Sequence, residues 1–224
     1  MMFKTKNLLF CLIFLGSIFS FELKLKANWL QGYVPASDSR EVEQRRTVGS
    51  GSRSNCRSNI AKNSVTLLVP ELEVVHQTSV ERPTLYLSAD KISSKKTFVF
   101  TLVDPQSAKT LVEKNFPVSE GINRIELPES TQLEPNKTYL WYVAIPCENN
   151  LNEYREVLGA AIERRQTSSK VATQLRTAQN ELQSAAIYAQ NGFWYDALNL
   201  AVEERNRSNY LEQLLNSAKV SQNN

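Results

Sequence analysis

The chain has 224 residues, of which 26 are basic, 23 acidic and one a histidine, so its formal net charge near neutral pH is +3. Beyond residue 27 the chain has one histidine and two cysteines far apart in sequence, which do not supply the clustered ligands of a metal centre, and we expect neither metal nor cofactor. Residues 1–27 hold four of the basic and one of the acidic residues, which leaves 22 of each sign in the remainder. Without a net positive field nothing favours nucleic-acid binding.

The N-terminus has the pattern of a secretory signal. Two lysines precede an apolar block at residues 8–21, which is shorter than the roughly 20 apolar residues of a membrane-spanning helix. We interpret residues 1–27 as a signal peptide cleaved after Ser20 or Ala27, with an uncleaved anchor as the alternative. The mature chain is then expected in the periplasm or outside the cell, without a membrane span.

Residues 28–60 are polar, charged and rich in glycine and serine, which predicts a flexible lead-in. Cys56 at its end and Cys147 are the two cysteines that follow the signal. In an oxidising compartment an even pair predicts a disulfide. The alternative is a nucleophilic thiol, which needs a base, and His76 is the only histidine. We predict the disulfide.

Residues 61–165 contain short apolar and β-branched runs separated by turn residues, without helical periodicity. This texture predicts an antiparallel β-sandwich of about seven strands. The runs are 65–70, 82–88, 97–104, 110–118, 122–129, 138–147 and 155–163.

The run at 138–147 carries the most specific pattern in this region. Leu133, Pro135 and Tyr139 have the spacing of the tyrosine corner that leads into the sixth strand of fibronectin III-like sandwiches. Period-two alternation then puts Tyr139, Trp141 and Val143 on the core face. The predicted fold of this region is an Ig-like or fibronectin III-like β-sandwich.

The other face of the same run is apolar as well, since it carries Leu140 and Tyr142. Solvent-facing positions of an antiparallel sheet are usually polar. We therefore expect either the chain's own helices or a partner protein to cover this face. Leu140, Tyr142 and Trp194 form the predicted contact surface.

Residues 166–220 show helical periodicity, which makes the overall class α+β. One apolar stripe predicts a helix over 167–190, and Asn191-Gly192 predicts its end. A second helix follows from Trp194, and Ser208 predicts the cap of a third. The turn at 188–201 is similar to a tetratricopeptide repeat. Because only one copy is visible, a helical hairpin packed on the sandwich, followed by one more helix, is the favoured interpretation.

Five segments of the mature chain together resemble a known family. They are Gly49-Ser50-Gly51-Ser52-Arg53 with Cys56, LLVP at 67–70, Glu81-Arg82-Pro83-Thr84, WYVAIPC at 141–147, and YAQNGFWYDAL at 188–198. The chain resembles an exported cyanobacterial family of unknown function, number 928 in the domain-of-unknown-function series, over roughly residues 49 to 218. Ser52 stands where that family has threonine. The resemblance implies an extracytoplasmic location and no established activity.

The chain has no catalytic sequence motif, so we expect it not to be an enzyme. Our first hypothesis is a periplasmic or envelope-associated protein-interaction module whose partner is another envelope or secreted protein. One alternative is an envelope glycan-acting enzyme whose loop carboxylates, such as Asp90, Asp104 and Glu148, meet as acid and base. Another is a purely structural envelope domain.

Overall fold

A computed structural model of the chain describes residues 32–41, 56, 60, 64–92, 94–150 and 153–220. The signal peptide predicted at 1–27 lies outside the described residues. Eight strands come first: β1 (Val65–Leu67), β2 (Val75–Thr78), β3 (Thr84–Ala89), β4 (Lys96–Asp104), β5 (Lys109–Val118), β6 (Gly121–Glu126), β7 (Thr138–Pro146) and β8 (Tyr154–Arg164). Four helices follow: α1 (Ser169–Thr177), α2 (Glu181–Gln190), α3 (Trp194–Glu203) and α4 (Tyr210–Ser217).

The strands form two sheets, in the orders β1-β3-β6 and β2-β8-β7-β4-β5. All neighbouring strands are antiparallel except β2 and β8, which run parallel. The predicted Ig-like or fibronectin III-like sandwich followed by helices is therefore confirmed. The strand β2 was not predicted, because its four residues Val-His-Gln-Thr are all buried and show no alternation of apolar and polar side chains.

The core lies between the two sheets and is built by alternation. On β4, Phe98, Phe100 and Leu102 are buried while the residues between them are partly exposed. Across the strand pair, Phe100 is opposite Val143 and Leu102 is opposite Trp141. Burying each such side chain contributes about 1.5–3 kcal/mol relative to leaving it in water. Period-two patterning thus fixes which face of each strand points inward.

The tyrosine corner lies before β7. The Tyr139 hydroxyl accepts a hydrogen bond from the Glu134 backbone N–H at 3.0 Å, and the ring is buried. Asn136 takes the left-handed conformation with φ of 59°, which asparagine tolerates better than most residues. The backbone of Leu133 donates to the Glu81 carbonyl at 2.8 Å. The corner therefore ties the start of β7 to the connection between β2 and β3.

The helix predicted over 167–190 is two helices, α1 and α2, so the described residues form four helices after the sandwich where three were expected. The Asn180 side chain accepts from the Gln183 backbone N–H at 2.9 Å, and the Gln183 side chain accepts from the Gln179 N–H at 2.8 Å. This reciprocal capping resembles a capping box. Such local bonds compete with helix continuation, which explains the break.

Helix α3 closes the open side of the sandwich. The indole N–H of Trp194 donates to the Leu68 carbonyl at 2.9 Å, next to the three-stranded sheet. The Tyr195 hydroxyl donates to the Ala161 carbonyl of β8 at 3.0 Å and accepts from the Trp141 indole at the same distance. The first turn of α3 therefore bridges both sheets.

Residues 32–41, which the sequence places in a flexible lead-in, pack along the folded domain, and we name them the N-terminal strap. The Val34 N–H donates to the Ala189 carbonyl at the end of α2 at 3.0 Å, and the Arg40 carbonyl accepts from Val75 of β2 at 2.9 Å. At Gly192, with φ of 83°, a Cβ atom would lie 2.7 Å from the Cβ of Ala36. The strap thus connects the helices to the edge strand β2.

Cys56 and Cys147 form a disulfide, as predicted, with a Cα–Cα distance of 5.1 Å. The bridge ties Cys56 to the residue that follows β7 across a sequence separation of 91. We expect the Cys56→Ser/Cys147→Ser double variant to lose up to about 4–5 kcal/mol of unfolding free energy, because a long loop is then open in the unfolded chain. Urea denaturation of the exported protein measures this loss. Alkylation of both thiols before any reductant is added would contradict the bridge.

Candidate functional site

The predicted contact residues Leu140 and Tyr142 lie on the outer side of the five-stranded sheet. Their strand β7 is flanked by β4 and β8, so that Val103 and Ala161 are opposite Leu140. We define the outer face as the apolar side chains that point away from the core on these three strands. It comprises Val99, Val103, Leu140, Tyr142, Ala144 and Val157.

Tyr142 lies flat on the outer face. A Cβ atom at Gly159, its neighbour on β8, would come within 2.7 Å of the Tyr142 ring. The ring therefore covers the sheet backbone where glycine leaves space. The side chain is half-buried, and burial raises the pKa of its hydroxyl. The Tyr142 ring thus packs directly against the backbone of Gly159.

The chain's own helices do not cover the outer face within the described residues. They contact the strands mainly through α3, which packs against β2 and β3. The strap covers only the β2 side of the five-stranded sheet, where Arg40 forms an ion pair with the buried Glu163 at 3.1 Å. Val157 remains 38% exposed. Within the described residues Val99, Val103, Leu140 and Tyr142 are partly exposed, whereas Ala144 is buried, so the outer face is partly accessible on β4, β7 and β8.

Trp194 does not belong to a contact surface, and this prediction is wrong. Its side chain is fully buried and its ring packs edge-on against Tyr33 of the strap, with centroids 4.9 Å apart. The sequence correctly predicts that Trp194 lies on the apolar face of its helix. That face of α3 packs against the sandwich and does not face solvent.

A second surface feature, not predicted from the sequence, lies where the helices meet the sandwich. We name this open depression of about 270 Å³ the joint groove. It brings together Arg82-Pro83-Thr84 and Tyr195-Asp196, which belong to two of the segments that carry the family resemblance. Its lining residues are Thr78, Val80, Arg82, Pro83, Thr84, Tyr188, Tyr195, Asp196, Asn199 and Leu200.

Asp196 is a buried carboxylate in the wall of the joint groove. Its two oxygens accept from the Ser79 backbone N–H at 2.9 Å and from the Ser79 hydroxyl at 2.5 Å. Burial raises the pKa of Asp196, while the hydrogen bonds from Ser79 and Thr78 act in the opposite direction. Because its acceptors are occupied, Asp196 acts as a tie between α3 and the end of β2.

His76 is buried in β2 and both of its ring nitrogens are bonded. Nε2 lies 3.0 Å from the Glu71 carbonyl, to which it can only donate, so Nδ1 accepts from the Tyr33 hydroxyl at 2.8 Å. Burial lowers the pKa of His76 to about 4. With Cys147 in the disulfide, neither member of a Cys–His pair is free.

The loop carboxylates Asp104 and Glu148 are placed at opposite ends of β4. Asp104 pairs with Lys137 at 2.9 Å, and Glu148 pairs with Lys96 at 2.7 Å. Lys96 and Asp104 are the terminal residues of β4, so eight residue steps, or about 26 Å of strand, separate them. An acid–base pair for glycoside hydrolysis needs about 5–9.5 Å. These two residues do not form one.

Two further observations concern only the described residues. They contain no group of three or more His, Cys, Asp or Glu side chains arranged to hold a metal ion. None of the described helices is sufficiently long and apolar to cross a membrane.

Comparison with known proteins gives a family and a partial structural likeness. A family model described as Domain of Unknown Function (DUF928) matches residues 48–223. The solution structure of the fn3 domain of the human collagen alpha-1(XX) chain is similar to part of the chain, with 14% sequence identity and a TM-score of 0.29. It covers 53% of this chain and 95% of its own. No curated protein matches.

The buried histidine predicts a pH dependence of stability. The unfolded state binds a proton near pH 6.5 and the folded state only near pH 4, so the unfolding free energy falls as pH drops through this window. The loss is about 3 kcal/mol in full. We expect His76→Gln to remove this part of the slope in urea denaturation between pH 7 and pH 4. An unchanged slope would contradict the burial of His76 as a neutral imidazole.

The hydrogen bonds between Asp196 and Ser79 predict that two variants of Asp196 lose different amounts of unfolding free energy. Asp196→Ala leaves the part-buried Ser79 N–H without an acceptor and should cost about 1–3 kcal/mol in urea denaturation. Asp196→Asn keeps one carbonyl oxygen and should lose less. Equal losses in both variants would show that the hydrogen bonds to Ser79 do not hold α3 in place.

Proposed function

Since the chain belongs to the family described as Domain of Unknown Function (DUF928), we propose its function from its own surface. The protein is an exported interaction module that binds an apolar surface of another envelope or secreted protein. The binding surface is the outer face. The observation that carries this proposal is that neither the helices nor the strap covers that face in the described part of the chain.

The composition of the outer face favours a protein partner. Along the middle of the sheet, aliphatic or aromatic side chains replace the polar residues that a solvated antiparallel sheet carries. On β4, the polar residue Thr101 lies between Val99 and Val103 on the outer side of the sheet. Polar side chains stand beside it on β5, where Asn115 and Glu113 are exposed. An uncharged centre with a polar rim is typical of protein interfaces.

Tyr142 is suited to be the anchor of this interface. Tyrosine is enriched among residues that dominate binding energy. Its ring is already held against Gly159, so binding loses little rotamer freedom. The neighbouring Leu140 and Val157 extend the contact along β7 and β8. The partner's complementary surface is expected to be aliphatic and uncharged at its centre.

The disulfide supports the exported location. Bridges such as Cys56–Cys147 persist in oxidising compartments and are rare in reducing ones. For the glycan-enzyme alternative, Asp104 and Glu148 do not supply the acid–base pair, because they are far apart and each is paired with a lysine. The purely structural alternative predicts no specific contact at the outer face, and the following experiment separates the two.

We expect a photo-crosslinking amino acid at Val157 to form an adduct with one defined protein in the source cell. The matched control is Ile122, which has the same exposure of 38% but lies on β6 of the other sheet. Tyr142→Lys should reduce the adduct at least about tenfold, which corresponds to about 1.4 kcal/mol of lost affinity. Tyr142→Phe should retain it.

Mapping the crosslinked peptide tests the chemistry of the partner. An uncharged, aliphatic contact peptide supports the proposal, whereas a highly charged one contradicts it. Equal adducts at Val157 and Ile122, or none at Val157, would leave the structural alternative standing. Circular dichroism of the Tyr142→Lys variant verifies that it remains folded.

A further inference from the structure

The joint groove is separate from the outer face, and its chemistry points to a different kind of contact. We propose that it binds the C-terminal residue of a protein partner. The free α-carboxylate of that residue pairs with Arg82, and its aliphatic side chain packs against Val80, Pro83 and Leu200. This inference does not rest on the proposed function of the outer face.

The walls of the groove are apolar on two sides. Val80 and Pro83 come from the connection between β2 and β3, and Leu200 comes from α3. Val80 is 44% exposed, although it is an aliphatic residue in the wall of a depression. Burying an exposed aliphatic side chain is favourable at about 25 cal/mol per Å². An aliphatic ligand side chain therefore fits this wall.

The free charge of the groove is positive. Arg82 is exposed and has no hydrogen bond or ion pair within the described residues. The Asp196 carboxylate oxygens accept hydrogen bonds from Ser79. The side-chain oxygen of Asn199 accepts from the Tyr86 hydroxyl, and its amide nitrogen donates to Glu203. An unpaired guanidinium binds a carboxylate with two parallel hydrogen bonds. Because Arg82 is exposed and Asp196 is buried, the guanidinium is the charge that a ligand meets first, and it favours a carboxylate.

Size and spacing favour a C-terminal residue. A volume of about 270 Å³ is below the range of about 300–1,000 Å³ for sites of drug-sized ligands. Val80 and Arg82 are two positions apart, so the cation and the apolar wall are close neighbours. A C-terminal aliphatic residue carries its carboxylate and its apolar side chain on the same α-carbon. An aspartate or glutamate side chain cannot present both groups from one residue.

The segment that carries Arg82 is held in place before any ligand binds. Ser79 is fixed by its two hydrogen bonds to Asp196. The Glu81 carbonyl accepts from the Leu133 backbone at 2.8 Å, and the Glu81 carboxylate lies 3.9 Å from the Arg164 guanidinium. Preorganisation of this kind lowers the entropy that binding costs. Within this segment, the exposed Arg82 side chain is the part that we expect to change conformation when a ligand binds.

The test is a titration of the mature ¹⁵N-labelled protein, followed by NMR, with three probes. Acetyl-glycyl-leucine carries a free carboxylate and an aliphatic side chain, its C-terminal amide lacks the carboxylate, and acetyl-glycyl-glutamyl amide carries an internal carboxylate. We expect acetyl-glycyl-leucine at millimolar concentration to give saturable shifts at Val80, Thr84 and Leu200. The other two probes should bind at least about tenfold more weakly.

Two variants complete the experiment. Arg82→Gln should weaken acetyl-glycyl-leucine at least about tenfold. Arg176→Gln, which removes an exposed arginine on α1 outside the groove lining, should leave binding unchanged. If the amide binds as tightly as acetyl-glycyl-leucine, the carboxylate is not recognised. If the glutamyl probe binds as tightly, the groove does not select a C-terminal residue. Absence of saturable shifts at the groove would overturn the site itself.

Discussion

The packing of α3 across the open side of the sandwich is the constraint on which the rest of the structure depends. A sandwich of three and five strands is open at one side, and backbone carbonyls at that side need donors. Trp194 and Tyr195 supply both an apolar body and one polar hydrogen each, which Leu68 and Ala161 accept. Because the donors reach one carbonyl beside each sheet, the helix fixes the spacing of the sheets as well as its own position.

The strap and the edge strand β2 follow from this placement. Once α3 is in place, the end of α2 lies beside β2, and Tyr33 fills the corner by contacting Trp194 and bonding to His76. Gly192 leaves room for Ala36 at the same point. The single histidine thus serves packing, since a neutral imidazole can both accept from Tyr33 and donate to Glu71.

The sequence predicts those parts of the fold that local periodicity determines. Alternation identifies the long strands, and the spacing from Leu133 to Tyr139 identifies the corner before β7. The four-residue strand β2 has no alternation because both of its faces are buried. The break between α1 and α2 is set by side-chain caps at Asn180 and Gln183, which the apolar stripe of the predicted long helix does not reveal.

Surface sites were harder to predict, because amphipathicity shows that a face is buried but not what buries it. Leu140 and Tyr142 could be assigned to the outer side of their strand from period two alone. Trp194 could not, since its burial depends on contacts with Leu68 and Tyr33, which are far away in the sequence. The joint groove likewise exists only after the connection from β2 to β3 and helix α3 have come together.

The two candidate surfaces are linked through β8, and this link argues for rigid independence. Gly159 leaves space for the Tyr142 ring on the outer face. Two residues later, the Ala161 carbonyl accepts the hydrogen bond from Tyr195 that positions α3 beside the groove. At Ala161, β8 is paired on both sides, with Leu140 of β7 and Val75 of β2. Pairing on both sides holds this part of β8 in place. Coupling between sites is commonly carried by an element with two arrangements, and a strand fixed in this way favours independent binding at the two surfaces.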